Sequence, residues 1–180
     1  MNYIATISLV LIIFSGCLHY PADIQRDTIF RVSSAREKPT LVNFAVESND
    51  IYNTRTAKRE VAEKIFDITE SQFGEGFVEK LVDKKTNALI GFFSFKDSKE
   101  NSSIELGHLF ISPDLINQGY GRQLFARALA KAKSLGKKRV YWISDPDAEG
   151  FYLKMGARKI GTDENILNPK VRVPLFEIKI

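Results

Sequence analysis

The amino-acid sequence predicts a mixed α/β domain, in which an antiparallel run of strands is followed by a strand–helix–strand crossover. Three observations carry this reading. Residues 77–82 and 88–95 flank the turn residues 83–87 as in a hairpin, and residues 104–111 follow as a third strand after the polar stretch 96–102. Gly119-Tyr120-Gly121 then opens a segment with apolar residues at Leu124, Phe125, Ala128, Leu129, Ala132 and Leu135. That is a continuous helical stripe, and Gly136 sits where a helix-ending glycine belongs. Residues 138–144 and 171–180 return as strands, separated by a short helix that Asp147 can cap and that runs to about Met155. An antiparallel half joined to such a crossover is the pattern of a mixed sheet flanked by helices.

The first half of the chain is consistent with that frame. Residues 28–32 alternate apolar and polar, the period of a strand. Ser34 and Glu37 make a capping-box signature, and Pro39 follows early in the helix, where proline is tolerated. Leu41, Val42, Ala45 and Val46 form the buried stripe of that helix. A second helix is expected over residues 56–68, where Ala57, Val61, Ile65 and Ile68 recur at helical spacing. No internal repeat or low-complexity tract interrupts the chain, so residues 28–180 are expected to form one domain behind an amino-terminal segment, residues 1–27.

Composition narrows the function classes. The chain has 180 residues, 44% of them hydrophobic and 27% charged, values near the globular averages, which sets disordered and fibrous classes aside. A net charge of +4 can help attract a polyanionic ligand but is no footprint of nucleic-acid binding. The basic cluster Lys131, Lys133, Lys137, Lys138 and Arg139 reads as a solvated helix end. Cys17 is the single cysteine, so there is neither an intrachain disulfide framework nor a thiol set for zinc. His19 and His108 lie far apart, and no metal site is expected.

Residues 4–18 form an uncharged, mostly apolar run, shorter than the ~20 residues that a bilayer span needs. The run has the character of a secretory apolar region, although no Lys or Arg precedes it. Phe14-Ser15-Gly16-Cys17 loosely resembles a lipoprotein cleavage box. Arg26, Arg31 and Arg36 follow it and would hold the next domain in the cytoplasm if the segment inserted. A membrane contact through residues 4–18, an extra helix on the domain and a start codon placed too early all fit this segment. The expected location is the cytoplasm, with or without that membrane association.

The most informative stretch runs from Ile111-Ser112-Pro113-Asp114 through Leu115-Ile116-Asn117-Gln118 to Gly119-Tyr120-Gly121-Arg122. Physically it is a strand, a short loop and glycines entering a helix. Glycines let the backbone approach a ligand closely, and the free N–H groups and positive dipole of a helix start then face an anion. No Gly-Lys-Ser/Thr follows, so it is not a P-loop, and a third glycine at dinucleotide spacing is missing.

This stretch resembles the signature loop of the GNAT family of N-acetyltransferases, Gln/Arg-x-x-Gly-x-Gly/Ala after a strand ending in hydrophobic-x-Pro. Ile111-Ser112-Pro113 and Gly119-Tyr120-Gly121 fit that frame. Ile116 stands where the family has Gln or Arg, and Asn117 where Gly is common. A second segment, Ala148-Glu149-Gly150-Phe151-Tyr152-Leu153-Lys154-Met155-Gly156-Ala157, resembles the family's Ala-x-x-Phe-Tyr-x-x-x-Gly-Phe/Ala ending. From Asp145 through Gly161, and again at Arg172-Val173-Pro174-Leu175, the chain is similar to a bacterial-type subgroup of the family. The resemblance covers roughly residues 28–180 and is strongest from Glu105 onward.

The resemblance implies the GNAT fold, a mostly antiparallel sheet whose central parallel strands splay apart. It implies acetyl-CoA as cosubstrate and an amine as acceptor. The pyrophosphate would lie on Ile116, Asn117, Gln118, Gly119, Tyr120, Gly121 and Arg122, and the pantetheine arm would bond to the backbone of Leu109, Phe110 and Ile111. Tyr152 would protonate the leaving thiolate, which suits a phenol that stays neutral near pH 7; a core aromatic is its other reading. Glu105 stands fourteen residues before Gly119, the interval of the family's base glutamate, and could instead be an exposed strand carboxylate. His108 is a weaker candidate for the base. Residues 47–76 would cover the acceptor side, with Asp50, Tyr52, Arg55, Glu70 and Glu75 pointing to no single acceptor. A homodimer is compatible with these features. Two other functions stay open: a CoA-binding sensor or interaction module without catalysis, and a membrane-anchored lipoprotein scaffold acylated at Cys17.

Overall fold

The computed structural model describes residues 27–49, 65–165 and 170–180. Seven strands make one sheet: β1 (Thr28–Val32), β2 (Val78–Asp83), β3 (Leu89–Asp97), β4 (Ser103–Ile111), β5 (Arg139–Ile143), β6 (Arg158–Glu164) and β7 (Arg172–Lys179). Their spatial order is β1-β2-β3-β4-β5-β7-β6, and every neighbouring pair is antiparallel except β4 and β5. Helices α1 (Lys38–Asn49), α2 (Glu70–Gly74), α3 (Tyr120–Ser134) and α4 (Glu149–Lys154) flank it. The mixed, mostly antiparallel α/β architecture expected from the sequence is what the chain forms.

Strand alternation sends successive side chains to opposite faces, and each face has its own core. On one face Phe93, Phe95 and Leu106 pack with Leu124, Phe125 and Ala128 of α3, Trp142 of β5, Tyr152 of α4 and Phe176 of β7. On the other, Phe92 packs with Leu41, Ala45 and Val46 of α1 and with Phe73 of α2. The predicted stripes of α1 and α3 are therefore the buried ones. A 3₁₀ turn (Ala35–Glu37) precedes α1, and the Ser34 N–H donates to Glu37 Oε2 at 3.0 Å, as the capping signature requires. At the far end of α3, Gly136 takes φ 74°. The Lys137 N–H then donates to the Ala132 carbonyl at 3.1 Å and the Gly136 N–H to the Lys133 carbonyl at 3.0 Å, the pair of bonds of a Schellman motif.

The structure corrects the sequence reading in four places. Strand β6 was not expected. Its residues, Arg158 to Glu164, are exposed except for Ile160, so no apolar alternation marks it; backbone pairing to β7 and ion pairs such as Arg158 with Glu177 and Lys159 with Glu149 hold it. As an edge strand its charges also discourage further strand addition. Helix α2 lies in a stretch where no element was foreseen. The cap of the turn leading into α4 is Asp145, not Asp147: Asp145 Oδ1 accepts from the Asp147 N–H at 2.9 Å, because Pro146 at the first helical position puts the cap just before it. Of the helix expected over residues 56–68, residues 56–64 lie outside the described residues. Ile65 is helical, Phe66 is already in a turn, and Ile68 is buried in the second core. Among the described residues no helix is long and apolar enough to cross a membrane, and residues 4–18 are not among them.

Candidate active site

β4 and β5 run in register through only three pairs, Ser103 with Arg139, Ile104 with Val140 and Glu105 with Tyr141. Beyond Glu105, β4 continues to Ile111 without β5 beside it. The cause lies in β4 itself. Its register with β3 shifts between Ser94, opposite His108, and Phe95, opposite Leu106, so Gly107 is an extra residue. Such a bulge bends the strand and tightens its twist, and here it turns β4 away from β5. A Cβ on Gly107 would lie 3.0 Å from the Lys96 side chain, so the tight spot is filled by a glycine.

The ladder also decides which backbone groups face the gap. The Ser112 N–H donates to the Ile90 carbonyl at 2.8 Å. Bonding directions alternate along an antiparallel pair. His108 and Phe110 therefore turn their backbone groups to β3, and Leu109 and Ile111 turn theirs toward the gap. The Phe110 ring stays on the α1 face against Phe66 and Phe92, with centroids 5.2 and 5.9 Å away.

β4 leads directly into the glycine loop. A 3₁₀ turn (Pro113–Leu115) is followed by Ile116 in extended backbone and by Asn117 at φ 64°. That is the left-handed region, which asparagine tolerates better than other side chains do. Gln118 folds back, its Nε2 donating to the Asp114 carbonyl at 2.9 Å. Gly119 then takes φ 90° and caps α3. The Gln123 N–H, bonded to the Gly119 carbonyl at 3.2 Å, makes the first bond at this end of the helix. The N–H groups of Tyr120, Gly121 and Arg122 precede it and point out of the helix end, where the dipole is positive. A Cβ on Gly121 would lie 3.5 Å from the Phe151 ring and 3.9 Å from Ile111, so α3 starts in contact with both α4 and the end of β4.

Tyr152 is 7% exposed. Its ring lies 4.9 Å from Trp142, 5.0 Å from Phe151 and 5.6 Å from both Phe125 and Phe176. Trp142 follows Tyr141, the last β5 residue paired with β4, so Tyr152 stands beside the gap on the α3 face. Glu105 marks the apex of the gap on the α1 face, partly exposed, with its carboxylate 3.6 Å from Lys96 Nζ. His108 is buried on the same face: its Nδ1 lies 2.6 Å from Ser94 Oγ, and its ring also bonds to the Ile65 carbonyl. Burial, with Lys96 nearby, pushes its pKa down to about 3 against the opposing pull of Asp67 and Ile65. A histidine held neutral that firmly is a poor proton acceptor near pH 7. Among the described residues no three His, Cys, Asp or Glu side chains converge as metal ligands would.

The sequence profile of the Acetyltransferase (GNAT) family matches residues 43–157. The chain belongs to this family. Solved structures share the GNAT fold at low identity. The PaiA N-acetyltransferase of Thermoplasma acidophilum, in complex with coenzyme A, superimposes with a TM-score of 0.66 at 19% identity, over 85% of this chain and 99% of that one. A GNAT acetyltransferase from Staphylococcus aureus Mu50 gives 0.65 at 16% identity, over 84% and 98%. N-acetylglutamate synthase from Neisseria gonorrhoeae, complexed with coenzyme A and N-acetyl-glutamate, gives 0.60 at 17% identity. That match covers 84% of this chain and 35% of the synthase, so this chain spans about a third of its length. No curated protein matches the sequence.

Within this GNAT chain, sequence reasoning passed over three residues at the gap. Gly107 makes the bulge, and a glycine inside a strand pattern was the available signal. Trp142 was seen only as part of a strand, although its buried indole N–H has no hydrogen-bond partner among the described residues. Asp145 lies two residues past the end of β5, where burial pushes its carboxyl pKa up.

Proposed function

We propose that this GNAT protein transfers the acetyl group of acetyl-CoA to a primary amine. The observation that carries the reading is the parting of β4 from β5 above Glu105, continuous with a loop that ends in three free N–H groups at the start of α3. The opening fits an extended amide-bearing arm, because Leu109 and Ile111 offer it unpaired backbone groups. The helix start fits a pyrophosphate, with Ile116 to Arg122 cradling it through backbone rather than side-chain contacts.

Acetyl-CoA supplies the acetyl group as a thioester. The chain's residues would do the rest. Glu105 takes a proton from the incoming ammonium, whose ordinary pKa is near 10.4 for lysine, directly or through water. The amine nitrogen then bonds to the acetyl carbon as the carbon–sulfur bond breaks; the Tyr152 hydroxyl gives its proton to the sulfur, and the second proton shed by the nitrogen as the amide forms restores the phenol through water. Cys17 has no part in a direct transfer. Residues 28–180 would be the catalytic domain and residues 1–27 a separate segment. The cytoplasm, where acetyl-CoA is made and used, would be the place of action.

Two measurements on the full chain test the reading. Acetyl-CoA should raise the melting temperature by ligand linkage, and a panel of amines should include one that releases CoA thiol. An unshifted melt at millimolar CoA would sink the proposal. A shift with no turnover on any amine would leave a CoA-binding module in its place.

A further inference from the structure

The gap opens to two faces of the sheet, and among the described residues helices cover the β5–β7 side on only one of them. On the α3 face, Trp142, Tyr152 and Phe176 lie in the larger core beneath the helices. On the α1 face, the second core contains no residue of β5, β6 or β7. Alternation from the buried Trp142 and Phe176 puts Tyr141 and Ile143 of β5, and Leu175 and Glu177 of β7, on this open side. The register agrees, pairing Tyr141 with Glu177 and Ile143 with Leu175. Glu105 shares the face, being paired with Tyr141.

The chemistry of this surface is graded. At the closed end of the gap, Glu177 takes both Arg139, at 2.8 Å, and Arg158. Glu105 has Lys96 as its partner. At the open end the side chains are apolar. Ile143 is 51% exposed, Leu175 is half-buried, and Gly161, opposite Leu175, adds no side chain to cover it. The partly exposed Phe110 stands across the gap on β4. The slot thus has one carboxylate at its apex and hydrocarbon along its sides. A polycation would meet Arg139 and Arg158 on this face, and the carboxylate beside them, Glu177, is already taken by both.

We propose that the acceptor is a primary amine with an apolar body, its ammonium at Glu105 and its body against Ile143, Leu175 and Phe110. The inference rests on the acetyltransferase reading and adds the class of acceptor to it. Continuity of the apolar strip with the mouth of the gap is what assigns the strip to a small acceptor rather than to a second copy of the chain.

The experiment measures acetyl transfer by the full chain from acetyl-CoA to hexylamine and phenethylamine, against spermidine and kanamycin. The expected kcat/KM for the apolar amines is at least about tenfold higher, the scale of discrimination that an apolar pocket gives per small hydrocarbon group. Ile143→Ser should lower kcat/KM on hexylamine by about tenfold while leaving the CoA-induced melting shift intact, and Ile143→Leu should retain it. A preference for spermidine or kanamycin, an unaffected Ile143→Ser variant, or no transfer to either apolar amine despite a CoA-induced shift would overturn the inference. So would sedimentation showing that Ile143→Arg converts a dimer to a monomer, which would make the strip a contact between copies. Loss of the melting shift in the unmutated chain would instead remove the transferase reading beneath it.

Discussion

Ser94 Oγ and His108 Nδ1 lie 2.6 Å apart, both buried, where β3 faces the bulged part of β4. With the ring also bonded to the Ile65 carbonyl, the neutral tautomer is fixed: one nitrogen accepts from the serine hydroxyl and the other donates to the backbone. The folded pKa, about 3, is far below the ordinary 6.5. The unfolded chain therefore takes up a proton that the folded chain refuses. The stability held by this group is complete above pH 6.5 and drains away as the pH falls toward 3, at about 1.4 kcal/mol per unit. Replacing His108 with Asn should flatten that part of the stability curve, measured by urea unfolding at stepped pH. An unchanged slope would contradict the assignment.

The left-handed turn at Asn117 gives a second prediction. Asn117→Gly should leave stability and CoA binding close to those of the parent, since glycine adopts φ 64° freely. Asn117→Val should cost on the order of 1–2 kcal/mol, because a β-branched side chain is strained there. Gly119→Glu, which adds an anion where three N–H groups converge, should abolish the CoA-induced melting shift. Gly119→Ala, strained at φ 90° but uncharged, is the control, and calorimetric titration of the four variants separates strain from electrostatics.

Chemistry can be separated from binding at Tyr152 and Glu105. Tyr152→Phe keeps the ring that Trp142, Phe125 and Phe176 pack against and deletes only the hydroxyl. Turnover should fall by about 10²–10⁴-fold with CoA affinity retained. Glu105→Gln should keep the fold and remove the acid limb of the pH–rate profile. Undiminished turnover in Tyr152→Phe would end its assignment as the acid, with the transferase reading left standing.

Trp142 is the single tryptophan of the chain, buried beside the gap. Its emission should therefore report on filling of the opening without any label. A saturable change in fluorescence on titration with CoA is expected, with the same affinity as calorimetry gives. Emission indifferent to bound CoA would place the ligand away from β5.

Legibility followed burial. The stripes of α1 and α3 stood out because each buries one face continuously, and the hairpin because its strands are apolar on both sides of a polar turn. The loop from Ile111 to Arg122 was legible for another reason: glycines at a strand-to-helix junction have structural uses such as the cap at Gly119, and it was the resemblance to a family signature that marked this one. β6 was invisible because an exposed edge strand needs no apolar alternation. Asp145 lost its role to Asp147 in the sequence reading because both are capping residues, and only the proline between them decides. The bulge at Gly107 depends on pairing with β3, a long-range relation that no local pattern records. The sidedness of Leu109 and Phe110 follows from the same pairing and was equally hidden.

The short β4–β5 seam has a mechanical consequence. Three residue pairs join two plates, β1 to β4 and β5 to β7, so bending along that line disturbs few interstrand bonds. α3 spans the seam as the covalent link from β4 to β5, and its packing is the brace. A molecule wedged between the plates and bonded to both would work as a stiffener. Amide exchange should then slow at Leu109, Ile111 and Ile143 when CoA is bound, while the amides pairing β1 with β2 exchange as before. A protein built this way would gain rigidity from the substrate it is about to consume and return to a looser frame when the product leaves.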